Sequence, residues 1–317
     1  MIFQTVGDCQ RRALDASNLC RYSAPMRFAY LSSDVTLPGS PRRRSDAFEH
    51  DFMMDALRPG LLDVAGSGAE WVDIAWDDNE ADWASFDAAM IGTAWDYWDR
   101  QEEFIEALQG ISKATRLYNP PELVRWNSHK SYLRDLGRQG ARLIPTLWID
   151  RPDKTSVDHA FDALQTDRVV LKRQVGAGAD GQHLVERGQP LPDLKHEMMV
   201  QPFLPAILTE GEISFVFVAG ELSHALIKRA ADGDYRIQST YGGTEEAITP
   251  SADDLQAAKA VLDYLDEVPL YGRVDMLRAP DGGLLLMELE LIEPFLYPRQ
   301  GPELGRRVAE ALLARID

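Results

Sequence analysis

YGRVDMLRAPDGGLLLMELELI, residues 271–292, reads as a β-hairpin. The turn-forming run Pro280-Asp281-Gly282-Gly283 separates two stretches in which apolar and polar residues alternate. A four-residue loop sets Ala279 opposite Leu284, and counting back sets Asp275 opposite Glu288 and Arg273 opposite Glu290. Side chains in a strand alternate with period two, so these four charged groups share one face. Val274, Met276, Met287, Leu289 and Leu291 then occupy the apolar face. Like charges placed directly opposite destabilise a sheet, so Asp275 against Glu288, with Glu290 adjacent, needs compensation. Two readings supply it: a hard cation such as magnesium beside a phosphate, or Arg273 neutralising one acid on a solvated face.

Upstream of the hairpin the chain offers partners for such a site. The apolar strand Val169-Val170-Leu171 ends in Lys172, directly before the glycine-rich run Gly176-Ala177-Gly178-Ala179-Asp180-Gly181. A lysine closing a buried strand suits a phosphate better than it suits a surface. The run matches G-x-G-x-x-G literally. A dinucleotide fingerprint, however, must open a helix, and the residues that follow, Gln182 to Glu186, alternate like a strand. It is no phosphate loop of the Walker type either, because Gln182 stands where lysine is required. What remains is a hairpin tip whose N–H groups are able to close over phosphates, or an ordinary loop. Gln201-Pro202-Phe203-Leu204 ends a further apolar strand and presents either an apolar slot for a purine or plain core. His129, His183, His196 and His224 lack ligand spacing, so none is given a metal role.

Element patterning divides the chain of 317 residues into about two domains. Strand, helix, strand, strand and helix over 26–32, 45–58, 70–77, 86–91 and 101–109 predict a small α/β layer. Asn119-Pro120-Pro121 punctuates its end. A helix is expected over 128–139, carrying Lys130, and another around 157–164. Strands over 143–149, 168–172, 182–186, 198–203, 212–219 and 221–229 arrive in hairpins, which predicts an α+β second part. Helices over 252–265 and 302–316 complete it.

Composition narrows the function classes. The formal charge of −18 repels phosphate backbones, which argues against nucleic acid and anionic membranes as partners. The two cysteines, Cys9 and Cys20, have no zinc spacing and read as free thiols in a reducing, cytoplasmic compartment. Residues 1–25 lack sustained periodicity and are expected to be a disordered extension, with Met26 opening the first domain.

In their order these pieces resemble the ATP-grasp ligases. The ordered set is Lys130, Lys172 before a glycine loop, the Gln201–Leu204 hinge, Glu212, Lys228-Arg229, Arg236 before Gly242-Gly243, Asp275, and Glu288-x-Glu290. A further set is similar to the branch of the cycloserine-forming cyclo-ligase, which closes O-ureido-D-serine. It comprises Trp95-Asp96-Tyr97-Trp98, Asn119-Pro120, Trp126-Asn127, Lys130-x-Tyr132-Leu133, Pro145-Thr146 and Glu290-Leu291-Ile292-Glu293-Pro294, and it reaches back to about residue 90. The resemblance implies an α/β N-terminal domain over 26–125 and an α+β ATP-grasp fold over 126–317. Its small subdomain, about 142–203, and its large one, about 204–317, would clasp ATP.

By the same resemblance Lys130, Lys172, Gly178, Gly181 and Glu212 hold the nucleotide, and Gln201, Phe203 and Leu204 hold its adenine. Asp275, Glu288 and Glu290 hold Mg²⁺, while Arg229, Arg236 and Arg273 stabilise charge on the transferred phosphoryl group. Trp95, Asp96 and Trp98 would face the substrate, or else pack as aromatics around a helix start. One departure is visible: the family's final metal motif usually has asparagine where this chain has Glu290. The implied activity is an ADP-forming carbon–nitrogen ligase on an amino-acid-like small molecule, with a homodimer allowed. The alternatives are an intermolecular carboxylate–amine ligase, an ATP-binding module without chemistry and, more distantly, a dinucleotide-dependent oxidoreductase.

Overall fold

Met26-Arg27-Phe28-Ala29-Tyr30-Leu31-Ser32 is apolar on both sides, as a strand covered on both faces must be. A computed structural model, describing residues 25–176, 178, 181–231, 233–237 and 242–316, places it as β1 at the centre of a four-stranded parallel sheet. Its neighbours are β2 (Ala69–Ala75), β3 (Ala88–Ile91) and β4 (Arg116–Tyr118), in the order β2-β1-β3-β4. Helix α1 (Phe48–Ala65) covers one face and α2 (Gln101–Ala114) the other, so Phe28 and Tyr30 enter one core, Ala29 and Leu31 another. The inward stripe of α1 is Met53, Met54, Leu57 and Leu61, whereas Phe48 at its start is exposed.

After β4 come α3 (Pro121–Asn127) and α4 (Tyr132–Gln139). The single helix expected over 128–139 is therefore corrected: Lys130 lies in the turn between two helices. A second sheet follows, with β5 (Leu147–Ile149), α5 (Lys154–Ala163), β6 (Arg168–Arg173), β7 (His183–Glu186) and β8 (Met198–Pro202). Its strand order is β5-β8-β6-β7, entirely antiparallel. Val169, Leu171 and Val200 pack under α5, and the alternation turns Val170, Lys172 and Gln201 to the opposite side. A short α6 (Ala206–Thr209) leads into a third sheet. This comprises β9 (Glu212–Val218), β10 (Glu221–Arg229), β11 (Thr244–Ile248), β12 (Tyr271–Arg278) and β13 (Leu284–Glu290), with α7 (Ala252–Leu262) before β12 and α8 (Leu304–Ile316) closing the chain. The strand order is β11-β10-β9-β12-β13, all antiparallel.

Both faces of that third sheet are buried. Ile213, Phe215, Val274 and Leu289 pack against α4 and α7. On the other face Val216, Val218 and Leu226 share a cluster with Phe28, Met53 and Leu57 of the first layer and with Val308 and Leu312 of α8. Helices α1 and α8 are thus wedged between the first and third sheets. Along this second face each strand changes from apolar to charged, reaching Glu212 and Ser214 on β9, Lys228 on β10, Arg273 and Asp275 on β12, and Glu288 and Glu290 on β13. The charged end looks across at the second sheet.

The hairpin register at the charged end is as counted: Asp275 pairs with Glu288 and Arg273 with Glu290. The route to it differs. Arg278, not Ala279, faces Leu284, and Ala279 N–H donates to Gly283 O at 2.8 Å. The loop is one residue shorter than expected, and a β-bulge between Asp275 and Met276 restores the register. The extra residue is Met287, which turns to the cleft instead of the apolar face assigned to it. Of residues 1–25, all but Pro25 lie outside the described residues. Among the described residues no helix is long and apolar enough to cross a membrane.

Candidate active site

Between the second and third sheets lies a cleft of about 620 Å³, continuous at Lys172 with a narrow apolar slot. The slot is formed by Ile144, Val170, Phe203, Leu204, Leu277 and Met287, with Gln201 and Arg236 at its edge. The Gln201 amide donates to Thr146 Oγ1 at 3.0 Å, and Phe203 lies under the Arg168 guanidinium at 4.1 Å. The three residues expected to hold a purine are thus together around one narrow space.

Lys172 stands at the junction of slot and cleft. It forms no ion pair with any described residue. Burial draws its ammonium below the ordinary lysine range, against Glu288 and Glu212, which hold it up. Lys130 reaches the same point from its turn. Its Nζ sits 2.8 Å from Glu288 Oε1 and donates to Gly176 O at 2.7 Å, tying the glycine loop to β13. Gly178 and Gly181 have φ of 63° and 66°, and a Cβ on Gly181 would stand 2.6 Å from the Arg173 side chain. The loop continues into β7, so the helix required for dinucleotide binding is absent where it would have to start.

Behind the cleft runs a buried chain of charges. Glu212 and Asp275 are 1% and 2% exposed, and Lys228, 4% exposed, lies against both. Asp275 also accepts from Ser214 Oγ at 2.5 Å and from Arg273 Nη2 at 2.9 Å. Arg273 goes on to Glu290 and donates to Phe295 O at 2.9 Å. Burial opposes the charged form of Asp275, yet Arg273 and Lys228 outweigh it and hold this carboxyl well below its usual range. Glu288 is likewise held low by Lys130 and Lys172 against burial. Glu212 and Glu290 go the other way: burial pushes both up despite Lys228 and Arg273.

Three expected residues stand elsewhere. Arg229 is half-exposed and pairs with Glu246 at 2.8 Å; its neighbour Lys228 is the one that turns inward. Period-two alternation guarantees that only one of them faces the cleft, but residues 225–228 of β10, which lead up to them, are buried on both faces, so hydropathy does not choose. Arg236 lines the slot, paired with Asp234 at 2.7 Å, apart from the carboxylates of β13. Asp96 turns away as well, accepting from Trp76 Nε1 at 2.8 Å and from Arg100 at 3.2 Å.

The first layer contributes a wall that includes Trp95 and Trp98, two of the three residues expected to face a substrate, together with Arg44 and Glu49, which the residue patterns did not single out. Trp95 and Trp98 line the cleft beneath the Arg44 guanidinium, at 5.5 and 5.9 Å. Thr93 O, accepting from Ser33 Oγ and Thr36 Oγ1, and Trp95 N–H, donating to Ser33 Oγ at 3.1 Å, fix that loop to the end of β1. Tyr97, Glu49 and Glu293 also face the cleft. Burial pushes Glu49 up to about 7, and burial together with Glu290 pushes Glu293 up to about 8. The signal that pointed to Glu293 was present, since it lies within the Glu290–Pro294 run.

Residues 38–119 match the family model of the N-terminal domain of D-cycloserine synthetase DcsG, which carries the likeness further towards the N-terminus than residue 90. The chain is 30% identical over 290 residues to the cycloserine biosynthesis protein DcsG of Streptomyces lavendulae, spanning 83% of this chain and 95% of that one. The crystal structure of D-cycloserine synthetase DcsG superposes with a TM-score of 0.74 at 27% identity, covering 92% of this chain and all of that one. D-alanine–D-alanine ligase from Bacillus anthracis shares the fold at 15% identity, with a TM-score of 0.62 and coverage of 92% and 99%. Glutathione synthetase of Prochlorococcus marinus (strain MIT 9313) is 29% identical over 212 residues, or 63% of this chain and 64% of that one.

Proposed function

The chain belongs to the DcsG family of ATP-grasp ligases, and from that membership we propose the reaction its cleft carries out. It is an ATP-dependent carbon–nitrogen ligase. In the proposed reaction a carboxylate oxygen of an amino-acid derivative attacks the γ-phosphorus of ATP and ADP leaves. An amine nitrogen then attacks the resulting acyl phosphate, expelling inorganic phosphate and losing its proton. No covalent bond to the enzyme is needed, so catalysis is positioning and electrostatics.

The observation that carries this reading is Lys172, a cation without an ion-pair partner among the described residues, set between an apolar slot and a carboxylate-lined cleft. Its charge is satisfied by phosphates running from a purine in the slot towards Glu288 and Glu290. Lys130, beside the glycine loop, supports the same phosphates. Arg273 faces the charge that builds on the transferred group, and Lys228 takes the place first assigned to Arg229.

Among the described residues no three acidic, histidine or cysteine side chains gather closely enough to hold a metal alone. Magnesium does not require that: it commonly takes one or two carboxylates and fills its shell with phosphate oxygens and water. Glu288 and Glu290 fit this demand, with Asp275 behind them, saturated by Ser214, Lys228 and Arg273. Bound there, the ion would neutralise phosphate charge.

Likeness to DcsG supports ring closure, in which the attacking nitrogen belongs to the activated molecule itself. Incubation with Mg·ATP and O-ureido-D-serine, followed by mass spectrometry, tests this. A cyclised product with matching ADP is expected. ADP release that requires a second, amine-bearing molecule moves the chain to the intermolecular ligases, and AMP from any productive mixture defeats the mechanism.

A further inference from the structure

Tyr297, in the loop between β13 and α8, has a φ of 48°, a left-handed backbone that a bulky side chain rarely adopts. Two hydrogen bonds hold it in that turn: Gln300 N–H and Gly301 N–H both donate to Tyr297 O, at 3.0 and 3.2 Å. Strain of this kind persists where the surrounding structure over-determines it, and it gathers at sites that use the side chain it places. Here that side chain is an aromatic ring, 8% exposed, which belongs to the cluster shared by the first and third sheets and reaches the wall of the cleft.

The ring lies against two cations. Arg273 Cζ is 5.5 Å from its centroid and Lys228 Nζ is 5.6 Å from it. Both cations are buried and both pair with Asp275. The edge of the Arg273 guanidinium is committed to Asp275, Glu290 and Phe295 O, which leaves its flat faces to be covered. An aromatic face carries partial negative charge and attracts a cation within about 6 Å of its centre. Phe295, whose carbonyl takes Arg273, packs its own ring edge-on against Tyr297 at 4.7 Å. One short stretch of loop therefore grips Arg273 twice, by a carbonyl at its edge and by a ring over it. A further carboxylate in this place would cancel charge that a phosphoryl group needs. A neutral ring attracts both cations and leaves their charge available.

We infer that Tyr297 is a positioning residue for phosphoryl transfer: its ring fixes Arg273 and Lys228 at the reacting end of the cleft, and the left-handed backbone is what puts the ring there. The inference rests on the ligase reading above and adds to it what aims the two cations. Because they act on charge that builds during transfer, loosening them should lower kcat and leave ATP binding alone.

The test replaces Tyr297 in the full chain by Phe, by Phe carrying one, two or three ring fluorines, and by Leu, and measures ADP release with Mg·ATP and O-ureido-D-serine. Fluorine drains the negative face and keeps the shape, so a ring that merely fills space gives one rate through the series. A stepwise fall in kcat is expected, reaching roughly 10-fold with three fluorines, which corresponds to about 1.4 kcal/mol of lost cation–π attraction. Tyr297→Leu should lose more than the trifluorinated ring, and Tyr297→Phe should recover most of that loss, with the KM for ATP unchanged throughout. A flat fluorine series overturns the inference, as does a defect that appears in the KM for ATP rather than in kcat. Tyr297→Phe as slow as Tyr297→Leu also overturns it, by moving the role from the ring to the hydroxyl. Absence of ADP release from the unmodified enzyme would instead remove the ligase reading beneath it.

Discussion

At the scale of single residues, Lys172 and its neighbour across the cleft, Glu288, carry the nucleotide reading. A ligand at 100 times its dissociation constant adds about 2.7 kcal/mol of stability, which a thermal melt resolves. Lys172→Ala and Glu288→Gln are expected to remove most of the Mg·ATP shift while the free protein stays folded. Arg229→Ala should keep the full shift, because that side chain pairs with Glu246 outside the cleft. Undiminished shifts in the first two variants, or a lost shift in the third, would contradict the placement of the phosphates.

At the scale of elements, the crossing of α1 over α8 depends on two glycines. A Cβ on Gly60 would stand 2.1 Å from the Gly305 carbonyl carbon, and one on Gly305 would stand 1.9 Å from Ala56 O. Alanine is worth up to about 1 kcal/mol over glycine in a helix, but here the helices would have to separate. Gly60→Ala is expected to lose roughly 1–3 kcal/mol in denaturant titration. Gly110→Ala in α2, where the added carbon meets nothing within 4 Å, should gain up to about 1 kcal/mol. A second element-scale prediction concerns the loop after β13, which His224 of β10 supports with its ring packed on Gly301. Burial lowers this imidazole to about 4. The unfolded chain therefore binds the proton first, and stability from the neutral ring is complete above about pH 6.5 and lost as the pH falls towards 4. Between pH 7.5 and 4.5 the wild type should lose roughly 2 kcal/mol more than His224→Gln; equal losses would show the ring to be solvated.

At the scale of the whole molecule, two buried amides tie the layers together. Asn119 donates to Tyr271 O at 3.0 Å and to Leu291 O at 2.8 Å, and accepts from Leu270 N–H at 2.8 Å. Asn127 donates to Leu289 O at 2.9 Å and accepts from Leu291 N–H at 3.0 Å. Both act as surrogate backbone along the edge of the third sheet, so the first layer cannot swing freely against it. With α1 and α8 packed on both sheets, the expected boundary at residue 125 is no break in the core. Asn119→Ala, which strands one buried donor and two acceptors, is expected to cost roughly 2–4 kcal/mol in denaturant unfolding. A loss below about 1 kcal/mol would mean that water takes the amide's place.

The sequence by itself determined most of the strands and helices and the charged pairs of the terminal hairpin, because period-two alternation and turn chemistry are local; the short β4 and the edge strand β11 were not legible in it. Asp275 against Glu288 and Arg273 against Glu290 were legible for that reason, even though a shorter turn and a bulge produced them. The ordered run from Lys130 to Glu290 was legible only through its family resemblance, since each piece alone is an ordinary lysine, loop or strand end. Tertiary structure decided the rest. It chose Lys228 over Arg229 because β10 is buried on both faces, where hydropathy is blind to direction. It broke the helix at Lys130 so that one ammonium could reach both Gly176 and Glu288. It brought Trp95 and Trp98, from the first layer, to the same cleft as Glu288, nearly two hundred residues away, and no periodicity within either segment records that. Side-chain direction along one strand is a local property, whereas which groups meet across a cleft is set by how three sheets and two crossing helices pack.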